Sequence, residues 1–152
     1  MSAGDESSIP VPDDAESEEQ QSGPKNPRRP AGEVVERLSE MRWALGGAES
    51  VLVLTHDNPD PDAIASAAGL GFLLERMSGL QVTLAFGGII GRAENRVLME
   101  ELDVPFERVE NLDARHDAAL ALVDTQPGAG NNALTAGRVP TVVLDHHPPA
   151  PG

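Results

Sequence analysis

Three short clusters of acidic and imidazole side chains each follow an apolar run, and they hold the residues of this chain best suited to bind a divalent cation. The first is His56-Asp57-Asn58-Pro59-Asp60-Pro61-Asp62, directly after VLVLT at 51–55. Asp60 and Asp62 stand two apart across a proline with no donor of its own, a spacing that lets two carboxylates diverge toward two cations. The second is Asp124, which ends AALALVD at 118–124, and the third is Asp145-His146-His147 at the end of TVVLD at 141–145. Adjacent His side chains leave a strand in different directions, so one can bind a metal while the other meets substrate. Three of the four His in the chain lie in these clusters, and the fourth, His116, sits in an acidic turn where simple solvation accounts for it.

Each cluster alone also admits an ordinary reading. Asp60 can cap the following helix with His56 on the surface, Asp124 can open a turn, and the His pair can be exposed in a loop. Their combination argues for chemistry, because the pattern of apolar strand followed by acid or imidazole recurs at three strand ends. An open α/β sheet gathers such ends at one edge, where ligands bind. Asp60, Asp62, Asp124 and Asp145 gathered there would repel one another unless cations or raised pKa values relieve them. With no Cys in the chain, thiolate ligation and a Cys nucleophile are excluded. Imidazole and carboxylate donors favour a hard or borderline divalent ion such as Mn²⁺ or Mg²⁺.

The elements that must position these residues follow from apolar periodicity. The runs at 51–55, 81–86, 118–124 and 141–145 read as strands, and helical stretches between them give an α/β fold. Its sheet is expected to be mainly parallel and Rossmann-like, with helices on both faces. A helix is expected over 62–77, with Ile64, Ala68, Phe72 and Leu73 on its apolar side, Asp60 as cap and Pro61 at its first position. A second is expected over 93–102, and VPFERV at 104–109 suits a short edge strand because of Pro105. A leading helix over 33–45 carries Val34, Val35, Leu38, Met41 and Leu45 as its stripe and ends at Gly46-Gly47; Trp43 reads as one of its packing residues. Gly87-Gly88-Ile89-Ile90-Gly91 does not match a dinucleotide-binding fingerprint and reads as a turn, so no nucleotide cofactor is assigned.

The chain has 152 residues and a net charge of −14, enough for one domain and not for two. Residues 1–24 contain seven acids and no Lys or Arg. With few apolar residues, 1–30 reads as a disordered acidic tail and linker ahead of a domain at 31–152. The acidity argues against loose binding of a long duplex. No segment has the composition of a secretory or mitochondrial signal or of a membrane span, which leaves a cytoplasmic protein as the expectation. The oligomeric state is not legible.

His56-x-x-x-Asp60-x-Asp62, then Asp124, then Asp145-His146-His147 is similar in order and context to motifs I, II and III of the DHH phosphoesterase superfamily, with THDNPDPDAIAS, ALVDTQPG and VVLDHH resembling its RecJ-like and nanoRNase-like branch. The resemblance covers about 50–148. It implies a hydrolase of a phosphodiester or phosphomonoester in a small nucleotide or short oligonucleotide, using two Mn²⁺ ions. It further implies one ion on His56, Asp60 and Asp124, and a second on Asp62, Asp124 and His146. His147 would face substrate phosphate and Asp145 would orient the His pair, so that Asp124, Asp145, His146 and His147 are the candidate catalytic residues. Gly87 to Gly91, with Arg92 and Asn95, would lie near the site. A manganese-dependent inorganic pyrophosphatase and a non-catalytic metal- or nucleotide-binding regulatory module are the alternatives. The family's fourth motif and its substrate-binding domain do not appear in the chain, so the resemblance implies a fragment, incomplete at its C-terminus, that binds metal incompletely and turns over poorly.

Overall fold

A computed structural model describes residues 30–103, 105–112 and 118–149. The acidic tail at 1–29 and His116 lie outside the described residues. Among those described, five strands form one all-parallel sheet in the order β3-β2-β1-β4-β5. They are β1 (Ser50–Leu54), β2 (Gln81–Phe86), β3 (Phe106–Arg108), β4 (Ala119–Val123) and β5 (Val142–Leu144). The helices are α1 (Ala31–Ala44), α2 (Pro61–Ser78) and α3 (Ala93–Leu102). The α/β architecture, the parallel sheet and the edge position of β3 agree with the sequence reading.

The alternation of each strand sorts its side chains onto two faces. Val51 and Val53 of β1, Leu84 of β2, and Ala121 and Val123 of β4 pack with Ala67, Leu70 and Leu74 of α2, and Leu45 at the end of α1 joins them. Leu54, Ala85, Leu120 and Leu122 face the other way, against Val109, Leu112 and Leu134. The expectation of helices on both faces is thus met on one; among the described residues, the second face is covered by the short 3-10 turn Val109–Asn111 and loop residues.

Two helical stripes differ from those expected. The buried side of α2 is Ala63, Ile64, Ala67, Leu70, Gly71 and Leu74. Phe72 is 62% exposed, with the Arg76 guanidinium 5.0 Å from its ring centroid. The i, i+3, i+4 series that reaches the sheet starts at Ala63 and Ile64, which turns residue 72 away. In α1, Met41 and Leu45 reach the core, and Trp43, two residues or about 200° around from Met41, points outward. It is 86% exposed, which corrects its reading as a packing residue.

No helix among the described residues is long and apolar enough to cross a membrane.

Candidate metal centre

In the strand order β3-β2-β1-β4-β5, the chain runs outward from β1 in one direction through β2 and β3, then returns to the other side for β4 and β5. The C-terminal ends of β1 and β4 therefore flank the point where the strand order reverses, the place at which open α/β sheets form a crevice. Leu54 pairs in register with Leu122, so the chain beyond β1 and β4 brings His56 level with Asp124. Val123 pairs with Leu144, which puts Asp124 beside Asp145 in the same way.

The loop that carries His56 is held from three sides. Asp57 N–H donates to the Asn131 carbonyl at 2.6 Å and Asn58 N–H to the Gly87 carbonyl at 3.0 Å. Asn58 Oδ1 accepts from Ile89 N–H at 3.0 Å, and buried Asn95 donates through Nδ2 to the Pro59 carbonyl at 3.0 Å. This close approach explains the paired glycines at 87 and 88. A Cβ on Gly87 would overlap the Asp57 carboxylate, and Gly88 has φ of +70°. The expected turn at 87–91 is also the wall against which the first cluster is fixed.

His56 donates through Nδ1 to the Asp57 carbonyl at 2.9 Å. A carbonyl only accepts, so this bond places a proton on Nδ1, and in the neutral ring the Nε2 lone pair faces the site. Nε2 lies 3.6 Å from Asp124 Oδ2 and 3.9 Å from Asp60 Oδ1. Asp60 also caps α2, accepting from Asp62 N–H at 3.1 Å and Ala63 N–H at 3.0 Å. The capping reading of Asp60 thus holds, and the same Oδ1 is the atom that faces the His56 ring.

Asp124 is the centre of the arrangement. It leaves β4 in the left-handed region at φ 55°, which Asp tolerates better than most residues, while its N–H donates to the Leu144 carbonyl at 2.8 Å. The kink aims a side chain only 8% exposed at both imidazole groups. Oδ2 faces His56, while Oδ1 lies 3.3 Å from His146 Nε2 and 3.7 Å from His147 Nδ1. Burial pushes the Asp124 carboxyl above its ordinary range; charge on His56 and His147 opposes the rise, and Asp60 and Asp62 add to it.

The Asp145 carboxylate is used at both oxygens. Oδ1 takes the His147 ring at Nδ1, 2.7 Å away, and the His147 backbone N–H at 3.3 Å. Oδ2 takes Gln126 Nε2 at 2.7 Å. Burial works to raise the Asp145 carboxyl, yet the His147 and Gln126 hydrogen bonds hold it below its ordinary value. The same bond to Asp145 raises the His147 imidazole, against desolvation and with help from the charges of Asp145, Asp124 and Asp60.

Two overlapping sets of donors result, His56, Asp60 and Asp124, and Asp124, His146 and His147, each with atoms within 4.8 Å of one another. Donors on one first-row ion at about 2.1 Å stand roughly 3 to 3.5 Å apart, so small side-chain shifts would close either set. The residues fit a cation, because positive charge would relieve a buried carboxylate that faces further carboxylates, as its raised carboxyl does in part without one. The first set is the one the resemblance implies. In the second, His147 stands where Asp62 was expected, and Asp62 instead lines an adjoining cavity of about 320 Å³ with Ser66, Val123, Asp124, Leu144, Asp145 and His146. The Nδ1 of His147 is also the atom that bonds Asp145, at 2.7 Å.

Sequence reasoning missed the amide and hydroxyl residues that brace the site. Asn132 Nδ2 donates to Thr125 Oγ1 at 2.8 Å and to the Gln126 carbonyl at 3.1 Å, and Thr125 bonds Asn131 Oδ1 at 2.8 Å. The available signal was the clustering of Thr125, Gln126, Asn131 and Asn132 just after a buried strand, in a stretch that otherwise reads as a turn.

No protein-family model matches the chain. An uncharacterized protein of Methanocaldococcus jannaschii is 37% identical over 103 residues, which cover 64% of this chain and 20% of that protein. The match thus spans one fifth of the relative's length, and the relative carries no functional name.

Proposed function

We propose that this chain carries the metal centre of a phosphoesterase that hydrolyses a phosphodiester or phosphomonoester of a small nucleotide or short oligonucleotide. The observation that supports this most is the placement of Asp124, whose two oxygens face different imidazoles, Oδ2 toward His56 at 3.6 Å and Oδ1 toward His146 at 3.3 Å. A carboxylate so placed suits a bridge between two cations. Two divalent ions, Mn²⁺ in this reading, would supply an activated water and neutralise charge growing on the phosphoryl oxygens.

The chain's own contribution is preorganisation. His56, Asp60 and Asp124 form one donor set, and Asp124 and His146 would hold the second ion, with Asp62 reaching it from the adjoining cavity. His147 has Nδ1 held by Asp145, a bond that raises the imidazole, so that the protonated ring would donate from Nε2–H to a phosphate oxygen. The net charge of −14 suits a small substrate, whose phosphate is met by bound cations, better than a long polyanion.

The test is phosphate or nucleotide release from a 5′-phosphorylated dinucleotide and from pyrophosphate, with Mn²⁺ and with chelator, comparing this chain with Asp124→Asn. Slow Mn²⁺-dependent cleavage of the dinucleotide, abolished in the variant, is the expected result. Cleavage of pyrophosphate alone would move the reading to a pyrophosphatase. Turnover unaffected by chelator or by the variant would overturn it.

A further inference from the structure

We infer that Gln126 is a positioning residue, which acts through Asp145 to hold His147 with its proton on Nδ1 and its Nε2 directed away from the brace as the ring's free atom. The role of that free atom toward a phosphate rests on the proposed function; the tautomer itself rests on hydrogen bonds alone.

Gln126 follows Asp124 by two residues, at the end of β4, and Asp145 follows β5. Its side-chain amide spans the two strand ends, donating to Asp145 Oδ2 at 2.7 Å and to the Pro148 carbonyl at 2.9 Å. Asp145 is therefore held on one oxygen by an amide and presents the other, Oδ1, to His147 Nδ1 at 2.7 Å. A carboxylate that accepts from Nδ1 selects the Nδ1–H tautomer, as the outer partners of catalytic and metal-binding imidazoles do. The Asp145 side chain is only 6% exposed, so water cannot easily replace a lost donor, whereas the His147 side chain is 53% exposed and turns freely unless it is held. Asn132 secures the other end of the device by donating to the Gln126 carbonyl at 3.1 Å. Without the Gln126 amide, Asp145 loses the contact that fixes its plane, and His147 loses the direction of its ring.

The structure also supplies an internal control. His56 holds its Nδ1 proton through the Asp57 carbonyl at 2.9 Å, a bond that does not involve Gln126. A general loosening of the site would disturb both rings, whereas loss of the brace would disturb His147 alone.

The experiment is ¹⁵N NMR of the imidazole nitrogens in the metal-free chain, at alkaline pH where the rings are neutral, with His147 assigned by His147→Asn. The parent is expected to show the Nδ1–H tautomer at both His56 and His147. Gln126→Leu, of similar length but without a donor, is expected to shift His147 toward the Nε2–H form with His56 unchanged. Gln126→Glu, which places a carboxylate against Asp145, is expected to do the same and serves if the Leu variant does not fold. An unchanged His147 in a folded variant overturns the inference, as does simultaneous loss of both signatures. Failure of both variants to fold also overturns it, since Gln126 would then be a structural tie between strands. Because the readout needs neither metal nor turnover, it can succeed where the phosphoesterase reading fails, and the reverse.

Discussion

Oδ2 of Asp124 stands 3.6 Å from Nε2 of His56, across the boundary between β4 and β1. When the His56 ring is neutral its proton is on the far nitrogen, so an ionised Asp124 oxygen and an imidazole lone pair then face each other with no hydrogen between them. Two electron-rich atoms at that separation are unfavourable in the neutral, metal-free site and favourable around a cation. The same Asp124 carries its other oxygen to His146, so one side chain couples two strand-end clusters.

Asp124→Asn should therefore act in opposite directions on stability and on metal binding. The Asp124 carboxyl is raised above its ordinary value of 3.8, so the folded state binds that proton more tightly than the unfolded chain does. Its contribution to stability is present below that value and is lost as pH rises through the raised folded value. At neutral pH the metal-free Asn variant should melt higher than the parent, helped by the tolerance of Asn for the left-handed backbone at this position. With Mn²⁺ at about 100 times Kd the parent gains about 2.7 kcal/mol and the variant should gain little. Circular dichroism melts in chelator and in Mn²⁺, at acid and neutral pH, measure both effects.

Asp60 allows capping and ligation to be separated. Asp60→Asn keeps a good helix cap, whereas Asp60→Ala loses one, at a cost of about 0.5 to 2 kcal/mol. Both should weaken Mn²⁺ binding by at least about tenfold, since losing a direct ligand costs no less than losing an outer partner. Equal melting temperatures for the two variants would contradict the capping role; unchanged metal affinity in both would contradict the ligand role.

Gly87→Ala should disturb the metal site from behind. The new methyl overlaps the Asp57 carboxylate, and overpacking of this kind costs about 1 to 3 kcal/mol. Asp57→Gly in the same chain removes the overlapping group, so the double variant should recover part of that loss. A double-mutant cycle by chemical denaturation reads the coupling; additive losses would show that the two residues are not in contact.

The Asp145 and His147 pair should give the metal-free chain a stability contribution bounded on both sides in pH. Asp145 is lowered from 3.8, so its contribution is present above that value and is lost as pH falls through the lower folded value. His147 is raised from 6.5, so its contribution is present below that value and is lost as pH rises through the higher folded value. Both are in place between roughly pH 4 and 6.5. Thermal melts across pH should lose this feature in His147→Gln, and a variant profile parallel to the parent's would contradict the pairing.

The fold was largely legible because its signals are strong and local. VLVLT, QVTLAF and ALALV are too apolar for anything but buried strands, and Asp60-Pro61 marks the start of α2 at the residue where it occurs. The stripe on α2 was misplaced because Phe72 is the larger apolar residue, while the close packing of helix on sheet selects the smaller Ala63, Ala67 and Gly71. Trp43 misled for the same reason: hydrophobicity predicts burial on average, and α1 reaches the core only through Met41 and Leu45. The imidazole and carboxylate clusters could be read from the sequence because they end strands. The clustering of Gln126 and Asn132 after a strand was legible, but not their roles or that of Asn58, because an amide in a turn owes its role to partners that only the folded chain brings near.

The most direct test is a Mn²⁺ titration of the folded chain by electron paramagnetic resonance, beside Asp124→Asn. The account predicts that the parent binds Mn²⁺ at the set formed by His56, Asp60 and Asp124, and that the variant loses that binding. A folded parent that binds no Mn²⁺, or a variant that binds it as the parent does, would contradict it.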